Sequence, residues 1–394
     1  MIYLDNAATT PIAPEVLEAM LPYLKEEYGN PSGKYGKSAR AREAVEQARQ
    51  QVADLIGATP EEIIFTAGAT ESTNFIIKGT LDYQKYYGDG RSQVITSNAE
   101  HKATLYTCKY LNGELYSNDD PSIALFQGAV TVDRGFSALF IPVDSYAEVL
   151  PSVVEQAITE ETAIASFMYV NNEIGTINDV KAIGEVCHTK NVRLHIDGTQ
   201  AVGKLPIDVT DIGCDFMSFS AHKFYGPKGI GCAYLKSDGY GIPPITALLH
   251  GGEQENGFRA GTLAVHDIVG LGKAAALAKE QIKQDQQRLQ EMDIYFLQGL
   301  SHFKDVHLLN PTDSRMKGIF SILVERNNFH NERFIHRCSE QVAISTGSAC
   351  SAGKPSHVIE AIGQKENTHR ILRISLNRHT NKEELDQFFE LLRQ

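Results

Sequence analysis

The stretch that decides the fold runs from Arg193 to Leu235 and reads RLHIDGTQAVGKLPIDVTDIGCDFMSFSAHKFYGPKGIGCAYL. Short apolar runs in it are separated by segments rich in glycine, proline and polar residues, which is typical of strands joined by loops. Three of these runs are predicted to be β-strands: residues 192–196, 214–219 and 230–235. Helical patterns alternate with strands along the rest of the chain, and this alternation predicts an α/β fold.

Four polar side chains follow the first two strands: Asp197, Ser220, His222 and Lys223. Ligands of open α/β sheets bind outside the carboxyl ends of the strands, so we expect these side chains in one pocket. Pyridoxal phosphate needs such a set. A lysine captures its aldehyde as a Schiff base, a carboxylate keeps its ring nitrogen protonated, and Ser and His donors hold its phosphate. Lys223 and Asp197 are the predicted Schiff-base lysine and pyridinium partner. A surface lysine and a capping aspartate would explain each residue singly, but the combination favours the cofactor.

A further phosphate-binding element is predicted nearer the amino terminus. Residues 62–66 read as a strand, the small residues at 67–72 form a turn, and a helical pattern follows. Such a turn leaves backbone N–H groups at a helix N-terminus, where they bind phosphate without a basic side chain. The next strand, 93–97, leads to His101. This histidine either caps the following helix or faces the pocket, and its position after a strand favours the pocket.

The bulk composition excludes several classes of function. With 394 residues, the chain is long enough for two domains, and its apolar (42%) and charged (22%) contents are those of a globular protein. A net charge of −12 argues against direct binding to nucleic acid or an anionic membrane. No apolar run approaches the roughly 20 residues of a membrane span, and no signal peptide pattern follows Met1, which favours the cytoplasm.

The six cysteines form no Cys-x-x-Cys pair, and no histidine cluster has metal-ligand spacing, so no metal site is predicted. In a reducing compartment they are free thiols. Cys350 differs from the others because residues 344–356, around it, are small, polar and turn-forming. A thiol in an exposed loop suits nucleophilic work, whereas a buried structural cysteine would have apolar neighbours. Cys350 is therefore a predicted nucleophile, with an incidental exposed cysteine as the alternative.

Several motifs occur together in one order along nearly the whole chain: LDNAATT at 4–10, SFSAHK at 218–223, YGPKGIG at 225–231, TGSAC at 346–350 and LRISL at 372–376. With these motifs the chain resembles the cysteine desulfurases of the class V aminotransferase fold, in the group with a Thr/Ser-Gly-Ser-Ala-Cys loop. The resemblance implies a pyridoxal-phosphate-dependent transferase fold of type I. Its large domain, 14–262, would hold a mostly parallel seven-stranded sheet, and residues 1–13 with 263–394 would form a smaller α+β domain.

The resemblance also implies roles for individual residues. Those expected to hold the cofactor, besides Asp197, Ser220, His222 and Lys223, are Ala69 and Thr70 at the phosphate, His101 stacked on the ring, and Asn172 and Gln200 at the ring oxygen. Lys223, Cys350 and His101 are the expected catalytic residues. Asn172 also touches the substrate, and Arg373 is selected from three nearby arginines as the fork that binds the substrate carboxylate. Thr262 would bind the phosphate of a neighbouring subunit, which implies a two-fold homodimer.

The implied reaction converts L-cysteine into L-alanine and leaves a persulfide on Cys350. An acceptor protein would then take the sulfur for iron–sulfur cluster assembly or thiolation. Two departures put that acceptor in doubt: the loop after Cys350 is short, and the chain stops at Gln394 directly after its last helix. Residues 112–145 are predicted to be an extra hairpin or loop. Residues 1–13 are predicted to be an arm near the active site, although an ordinary ordered terminus explains them equally well.

Three other functions are compatible with the same residues. One is a selenocysteine lyase or an aminotransferase of the same fold, which assays of alanine and sulfide would separate. Another is a specialised desulfurase for DNA phosphorothioation or tRNA thiolation, which the short C-terminus fits. The last is a non-catalytic sulfur-relay subunit, which would be colourless, whereas the enzyme should purify yellow. The presence of both Lys223 and Asp197 argues against a non-catalytic protein.

Overall fold

The structure is a computed structural model that describes residues 1–114, 133–237, 243–311, 313–347 and 355–394. The strands are β1 (Ile2–Tyr3), β2 (Ile63–Thr66), β3 (Gln93–Ser97), β4 (Ser137–Ile141), β5 (Thr162–Met168), β6 (Arg193–Asp197), β7 (Phe216–Ser220), β8 (Gly231–Leu235), β9 (Val306–Leu308), β10 (Ile319–Val324), β11 (Val342–Ala343) and β12 (Ile371–Ser375). The α-helices are α1 (Pro14–Lys25), α2 (Gly36–Ile56), α3 (Ala69–Tyr86), α4 (Lys102–Leu111), α5 (Pro151–Ala157), α6 (Val180–Thr189), α7 (Val209–Ile212), α8 (Val265–Leu300), α9 (Asn331–Cys338), α10 (His357–Ala361) and α11 (Lys382–Arg393).

The main sheet has seven strands within the described ranges, in the order β2-β8-β7-β6-β5-β3-β4. Strand β8 is antiparallel to both neighbours, and all other adjacent strands are parallel. This topology confirms the predicted α/β fold with a mostly parallel seven-stranded sheet. Strands β6 and β7 are adjacent, with Asp197 paired to Ser218. The polar residues that follow these two strands consequently emerge at the same edge of the sheet.

The segment 112–145, predicted to be an extra hairpin or loop, contains a strand of the main sheet. Residues 137–141 form β4, which pairs in parallel with β3 at the edge of the sheet. The prediction is wrong for this part because only Ile141 of this edge strand is buried, so its sequence shows no clear apolar pattern. Residues 115–132, on which the rest of this prediction falls, lie outside the described residues.

A smaller sheet, ordered β12-β10-β9 and antiparallel, forms the predicted smaller C-terminal α+β part. Its apolar face packs against α11 and the second half of α8. Phe296 of α8 stacks on Phe320 of β10, with ring centroids 4.0 Å apart, and Phe388 of α11 packs beside them. The amino-terminal strand β1 joins this part by pairing in parallel with β11. The first strand of the chain therefore belongs to the smaller, carboxy-terminal part of the structure.

Helix α8 is continuous over 36 residues and contacts both hydrophobic cores. Its first half, through Ala278, packs in the core of the main sheet with α1 and α2. Its second half, from Met292 to Leu300, belongs to the core of the smaller sheet. A boundary at 262/263 assigns all of α8 to the small domain, whereas its packing divides the helix between the cores. The domain division remains a proposal, and these contacts favour a boundary inside α8.

Three further properties concern the described residues as a whole. No helix among them is long and apolar enough to cross a membrane. No group of His, Cys, Asp or Glu within the same ranges could hold a metal ion. The cysteines in these ranges are free and buried: Cys108, Cys187, Cys214, Cys232 and Cys338.

A buried ion pair, Asp293–Arg315, joins α8 to the loop before β10, and its loss should destabilise the fold. Arg315 Nη1 donates to Asp293 Oδ1 at 2.7 Å, and the Gly318 N–H donates to the same oxygen. Both side chains are almost inaccessible, at 3% and 2% exposure. Asp293→Ala would leave a buried guanidinium unpaired. We expect the free energy of unfolding in urea to fall by about 3–5 kcal/mol.

The exposed Lys181–Asp211 pair supplies the control for this measurement, because both of its side chains are more than half accessible to solvent. We expect no measurable change in stability for Asp211→Ala. The double variant Asp293→Leu with Arg315→Met should recover most of the loss, since it leaves no buried charge. An Asp293→Ala protein as stable as the wild type would contradict the assigned role of the pair.

Candidate active site

A cavity of about 200 Å³ opens at the carboxyl ends of the main-sheet strands. Ten of the residues singled out from the sequence line it: Ala69, Thr70, His101, Asn172, Asp197, Gln200, Ser220, His222, Lys223 and Arg373. They come from the start of α3, from the ends of β3, β5, β6 and β7 or the segments after them, and from β12, which places distant parts of the sequence around one space. The amino-terminal residues Ala7 and Ala8 form part of its wall. The predicted approach of the arm to the site is therefore what the structure shows.

Asp197 is the last residue of β6 and is 5% exposed. Its Oδ1 accepts the Thr199 N–H at 3.0 Å, which fixes the carboxylate at the start of the turn after the strand. Thr199 also lines the cavity, and its hydroxyl oxygen is buried without a hydrogen-bond partner in the described part of the chain. Such a polar atom is costly to bury alone, so this wall of the cavity fits a ligand that carries polar groups.

Lys223 lies in the single turn after β7, and its amine reaches the amino-terminal arm. The Nζ atom donates to the carbonyl oxygens of Ala7 at 2.7 Å and Ala8 at 2.8 Å. Gln200 binds the same arm, because its Nε2 donates to the Ala7 oxygen at 2.8 Å. Two predicted site residues therefore share one backbone carbonyl that is more than 190 positions away in the sequence.

Lys204 was not identified from the sequence, yet it fixes the orientation of Gln200. Its Nζ donates to Gln200 Oε1 at 2.7 Å, so the amide must present its NH₂ group on the other side. Burial, together with the nearby charges of Lys223 and Arg373, lowers the pKa of Lys204 to about 7. Its partner is only four positions away, but the turn that brings the two side chains together is not marked by a pattern in the sequence.

The phosphate end of the predicted site combines Ser220 with the start of α3. The N–H of Ala69, the first residue of α3, donates to Ser220 Oγ at 2.7 Å. Gly231 passes so close that a Cβ there would lie 2.6 Å from the Gly68 Cα atom. Only glycine allows β8 to lie against this turn. The start of α3 and a serine hydroxyl thus meet at one corner of the cavity, and N–H groups at a helix start favour phosphate binding.

His222 borders the same corner and shares a hydrogen bond of 3.1 Å between Nδ1 and Thr9 Oγ1. Burial lowers its pKa to about 4, and the neighbouring charges of Lys223 and Lys228 act in the same direction. The imidazole is therefore neutral at pH 7 and can donate only one N–H.

His101 both caps a helix and faces the cavity, the two roles between which the sequence left a choice. Its Nδ1 accepts the Ala103 N–H at 3.2 Å and so caps α4, and its ring also lines the cavity. Burial lowers the pKa of His101, which keeps the ring neutral.

Glu100, beside His101, is fully enclosed and accepts a hydrogen bond from Ser97 Oγ at 2.6 Å. Burial raises the pKa of Glu100 to about 8, so this carboxyl group is mainly protonated at pH 7. The sequence did not identify Glu100 as a residue of the site.

Arg373 is buried on β12, and its guanidinium already has two partners. Nη1 donates to the Asn172 carbonyl oxygen at 2.9 Å, and Nη2 donates to Asp5 Oδ1 at 2.7 Å. Arg373 is predicted to bind the substrate carboxylate, yet one of its guanidinium nitrogens already binds the carboxylate of Asp5. Asp5 was not singled out from the sequence, because 368 positions separate it from Arg373.

One predicted site residue, Thr262, is placed away from this cavity. Thr262 is exposed, follows Gly261 in a glycine-rich loop, and is not among the described residues that line this cavity. Its loop is anchored by Arg259, whose guanidinium pairs with Glu71 at the start of α3. Cys350 lies outside the described residues.

Behind Asp197, the buried His195 should make stability depend on pH. Its ring nitrogens bond to the hydroxyls of Ser166 at 2.8 Å and Ser218 at 3.0 Å. Burial lowers the pKa of His195 to about 4, against an ordinary value near 6.5 in the unfolded chain. The unfolded state therefore binds the proton first. We expect this residue's stabilising contribution to be complete above about pH 6.5 and to fall by about 3 kcal/mol as the pH approaches 4.

Urea unfolding at about pH 7 and about pH 4.5 measures this loss. His195→Gln removes the titrating ring and should lose less stability between the two conditions than the wild type does. The exposed His302 gives the matched variant, His302→Gln, which should keep the full pH dependence. If His195→Gln and wild type lose equal stability on acidification, His195 is not responsible.

Comparisons with known proteins agree with this geometry. The family model described as "Aminotransferase class-V" matches residues 2–116 and 119–388. The cysteine desulfurase IscS of Photorhabdus laumondii is 39% identical over 399 residues, covering 99% of this chain and 91% of that protein. A solved structure titled "NIFS-LIKE PROTEIN" superposes with a TM-score of 0.85 at 32% identity, covering 99% of this chain and 97% of the other. A structure titled "SspA in complex with cysteine" gives a TM-score of 0.78 at 34% identity, covering 97% and 100%.

Proposed function

Because the chain belongs to the class-V aminotransferase family and, within it, to the cysteine desulfurases, we propose that it converts L-cysteine to L-alanine and passes the sulfur to an acceptor protein through Cys350. Enzymes of this family depend on pyridoxal phosphate. The observation that supports the proposal best is the meeting of Lys223, Asp197 and Arg373 at one cavity. An amine, an acid and a carboxylate-binding fork around one space are the groups that an amino-acid substrate on this cofactor requires.

The residues around the cavity fit pyridoxal phosphate. The start of α3, Ser220 and the neutral His222 would hold its phosphate, and Asp197 would keep the proton on its ring nitrogen. The hydroxyl of Thr199, which has no partner among the described residues, and the second N–H of the Gln200 amide offer further donors. The bound cofactor supplies an electron sink that makes the Cα proton of an amino acid removable. The chain's own side chains must then position the substrate and move the protons.

Arg373 would hold the substrate carboxylate, and the amine of Lys223 would take the proton from Cα and later return it. His101, neutral because of its burial, can accept or donate a proton without placing a permanent charge in the cavity. The protonated Glu100 beside it adds no negative charge near Asp197. Neither His101 nor Glu100 therefore adds a charge that would compete with the amine of Lys223 or the carboxylate of Asp197.

The sulfur step needs a thiolate from the protein. Cys350 Sγ attacks the sulfur of the substrate, forming the S–S bond of a persulfide while the substrate C–S bond breaks. The electron pair of that bond, with a proton, goes to the carbon that becomes the methyl group of L-alanine. An acceptor thiol then takes the outer sulfur. The step consumes no external oxidant or reductant.

We extend the proposal to a two-fold dimer in a reducing, cytoplasmic setting. Thr262 is exposed on a loop with positive φ at Glu255 (50°) and Asn256 (55°), and a buried pair between Glu255 and Arg49 holds that loop. Such a strained, anchored loop is suited to presenting Thr262 to the phosphate end of a second subunit. Support for the reducing setting comes from the five free cysteines of the described ranges.

The test of the function is an assay of the purified protein with L-cysteine and a thiol reductant. We expect L-alanine and sulfide in equal amounts and a yellow protein. Transfer of the amino group to a keto acid, with no sulfide, would indicate an aminotransferase instead. Release of selenide with inactivity toward L-cysteine would indicate a selenocysteine lyase. A colourless protein that releases neither product would overturn the proposal.

A further inference from the structure

We propose that Asp5 weakens the hold of Arg373 on amino-acid carboxylates, so that substrate and product can exchange. The inference rests on the proposed function, in which Arg373 binds the carboxylate of L-cysteine. It assigns a role to a residue of the amino-terminal arm that the catalytic scheme does not use. The ion pair between Asp5 Oδ1 and Arg373 Nη2, 2.7 Å long, is the observation that carries it.

The pair is enclosed on the arginine side and more open on the aspartate side. The Arg373 side chain is 2% exposed, and that of Asp5 is 18% exposed. The charge of a buried guanidinium is strongly felt by its neighbours, because little water screens it. Asp5 neutralises this charge in part before any substrate arrives. A carboxylate that enters the cavity must share the guanidinium with a fixed negative charge.

Asp5 is held in place by backbone contacts, so the pair is not a chance contact of a free terminus. Asp5 forms a bridge with Ser375 of β12, the strand that carries Arg373. The next residue, Asn6, donates its N–H and its side-chain amide to the Ser375 carbonyl oxygen. The Tyr3 hydroxyl donates to the Asp5 carbonyl oxygen at 3.2 Å. The carboxylate therefore cannot leave Arg373 by a movement of the arm alone.

The charge of Asp5 acts equally on every ligand that offers an α-carboxylate to Arg373. L-cysteine and L-alanine carry the same carboxylate. Without the charge of Asp5, the Arg373 guanidinium would therefore bind the product as tightly as the substrate. By weakening both, Asp5 raises the KM and also shortens the residence of L-alanine. A ligand without a carboxylate, such as cysteamine, should not respond to Asp5.

Asp5→Asn tests this role, because asparagine keeps the shape and one oxygen acceptor of the side chain while removing its charge. We expect the KM for L-cysteine and the inhibition constant of L-alanine to fall together by about three- to tenfold. The value of kcat should not rise. The inhibition constant of cysteamine should not change. Asp5→Glu, which retains the charge, should keep both constants near the wild-type values.

The matched control is Asp285→Asn. Asp285 pairs with Arg378 at 3.2 Å with comparable exposure, and neither residue lines the active-site cavity. Its KM for L-cysteine should equal that of the wild type. If asparagine at position 5 prevents folding, Asp5→Ser removes the same charge and should give the same fall in KM.

A rise in KM for Asp5→Asn, or an equal change with cysteamine, would show that Asp5 only supports the fold around Arg373 and would overturn the inference. Failure of the proposed function is a different result, because the wild-type protein would then release no L-alanine from L-cysteine. The two outcomes are separated by the wild-type assay alone.

Discussion

Replacement of Lys223 by alanine should lower the rate of L-alanine and sulfide release at least about a thousandfold. Its amine lines the cavity and is held against the amino-terminal arm by hydrogen bonds to the carbonyl oxygens of Ala7 and Ala8. Without it, nothing in the proposed scheme takes the proton from the substrate Cα atom, and the covalent link to the cofactor is lost. The measurement is kcat at saturating L-cysteine, followed by alanine and sulfide in parallel.

The absorption of the bound cofactor gives an independent readout for this variant. We expect the long-wavelength band of the yellow wild-type protein to be lost in Lys223→Ala. Lys228, exposed five residues later, provides the control, and Lys228→Ala should retain both the colour and the rate. A Lys223→Ala protein with more than about a tenth of wild-type turnover would refute the role given to this amine.

Cys350→Ala should abolish sulfur transfer while leaving the cofactor bound. The described cysteines are poor alternatives, because all five are buried. Burial raises the pKa of Cys187 to about 12 and also raises the thiol pKa of Cys108, Cys214 and Cys232. Thiols with such pKa values form almost no thiolate at pH 7. We expect sulfide release to fall at least about a hundredfold.

Mass spectrometry of the protein after incubation with L-cysteine alone locates the persulfide. The wild-type protein should gain the mass of one sulfur atom on a peptide that contains Cys350, and Cys350→Ala should gain none. Cys338→Ala, at a buried cysteine of the smaller core, should behave as the wild type does. A persulfide found on any described cysteine would move the sulfur chemistry away from Cys350.

The parts of the site that follow strands could be predicted from the sequence. Asp197 and Ser220 end apolar strands, and Lys223 follows three residues after the second of them. Parallel strands present their carboxyl ends on one edge, so the local pattern already brings these residues together. The motifs then assigned the cofactor and the family, which the comparisons confirm.

The parts that were missed depend on contacts between distant segments. The ion pair of Asp5 with Arg373 joins residues 368 positions apart, and the hydrogen bond of Lys223 to Ala7 joins residues 216 positions apart. Periodicity carries no information on such pairs, because each residue lies in an unremarkable local context. The orientation of Gln200 and the protonated state of Glu100 likewise depend on burial, which only the folded structure defines. The edge strand β4 was missed because its exposure leaves a weak pattern.

The position of the amino-terminal arm also matters for how the enzyme is prepared. Met1 is 81% exposed, so an affinity tag can be attached there without a steric conflict. However, Ile2 donates its N–H to Gln341, and a few residues further on the arm supplies carbonyl oxygens to Lys223. A group attached to the first residue is therefore only a few residues from the carbonyl oxygen that the Lys223 amine contacts. Kinetic constants should therefore be measured on protein tagged at the carboxyl end or with the tag removed.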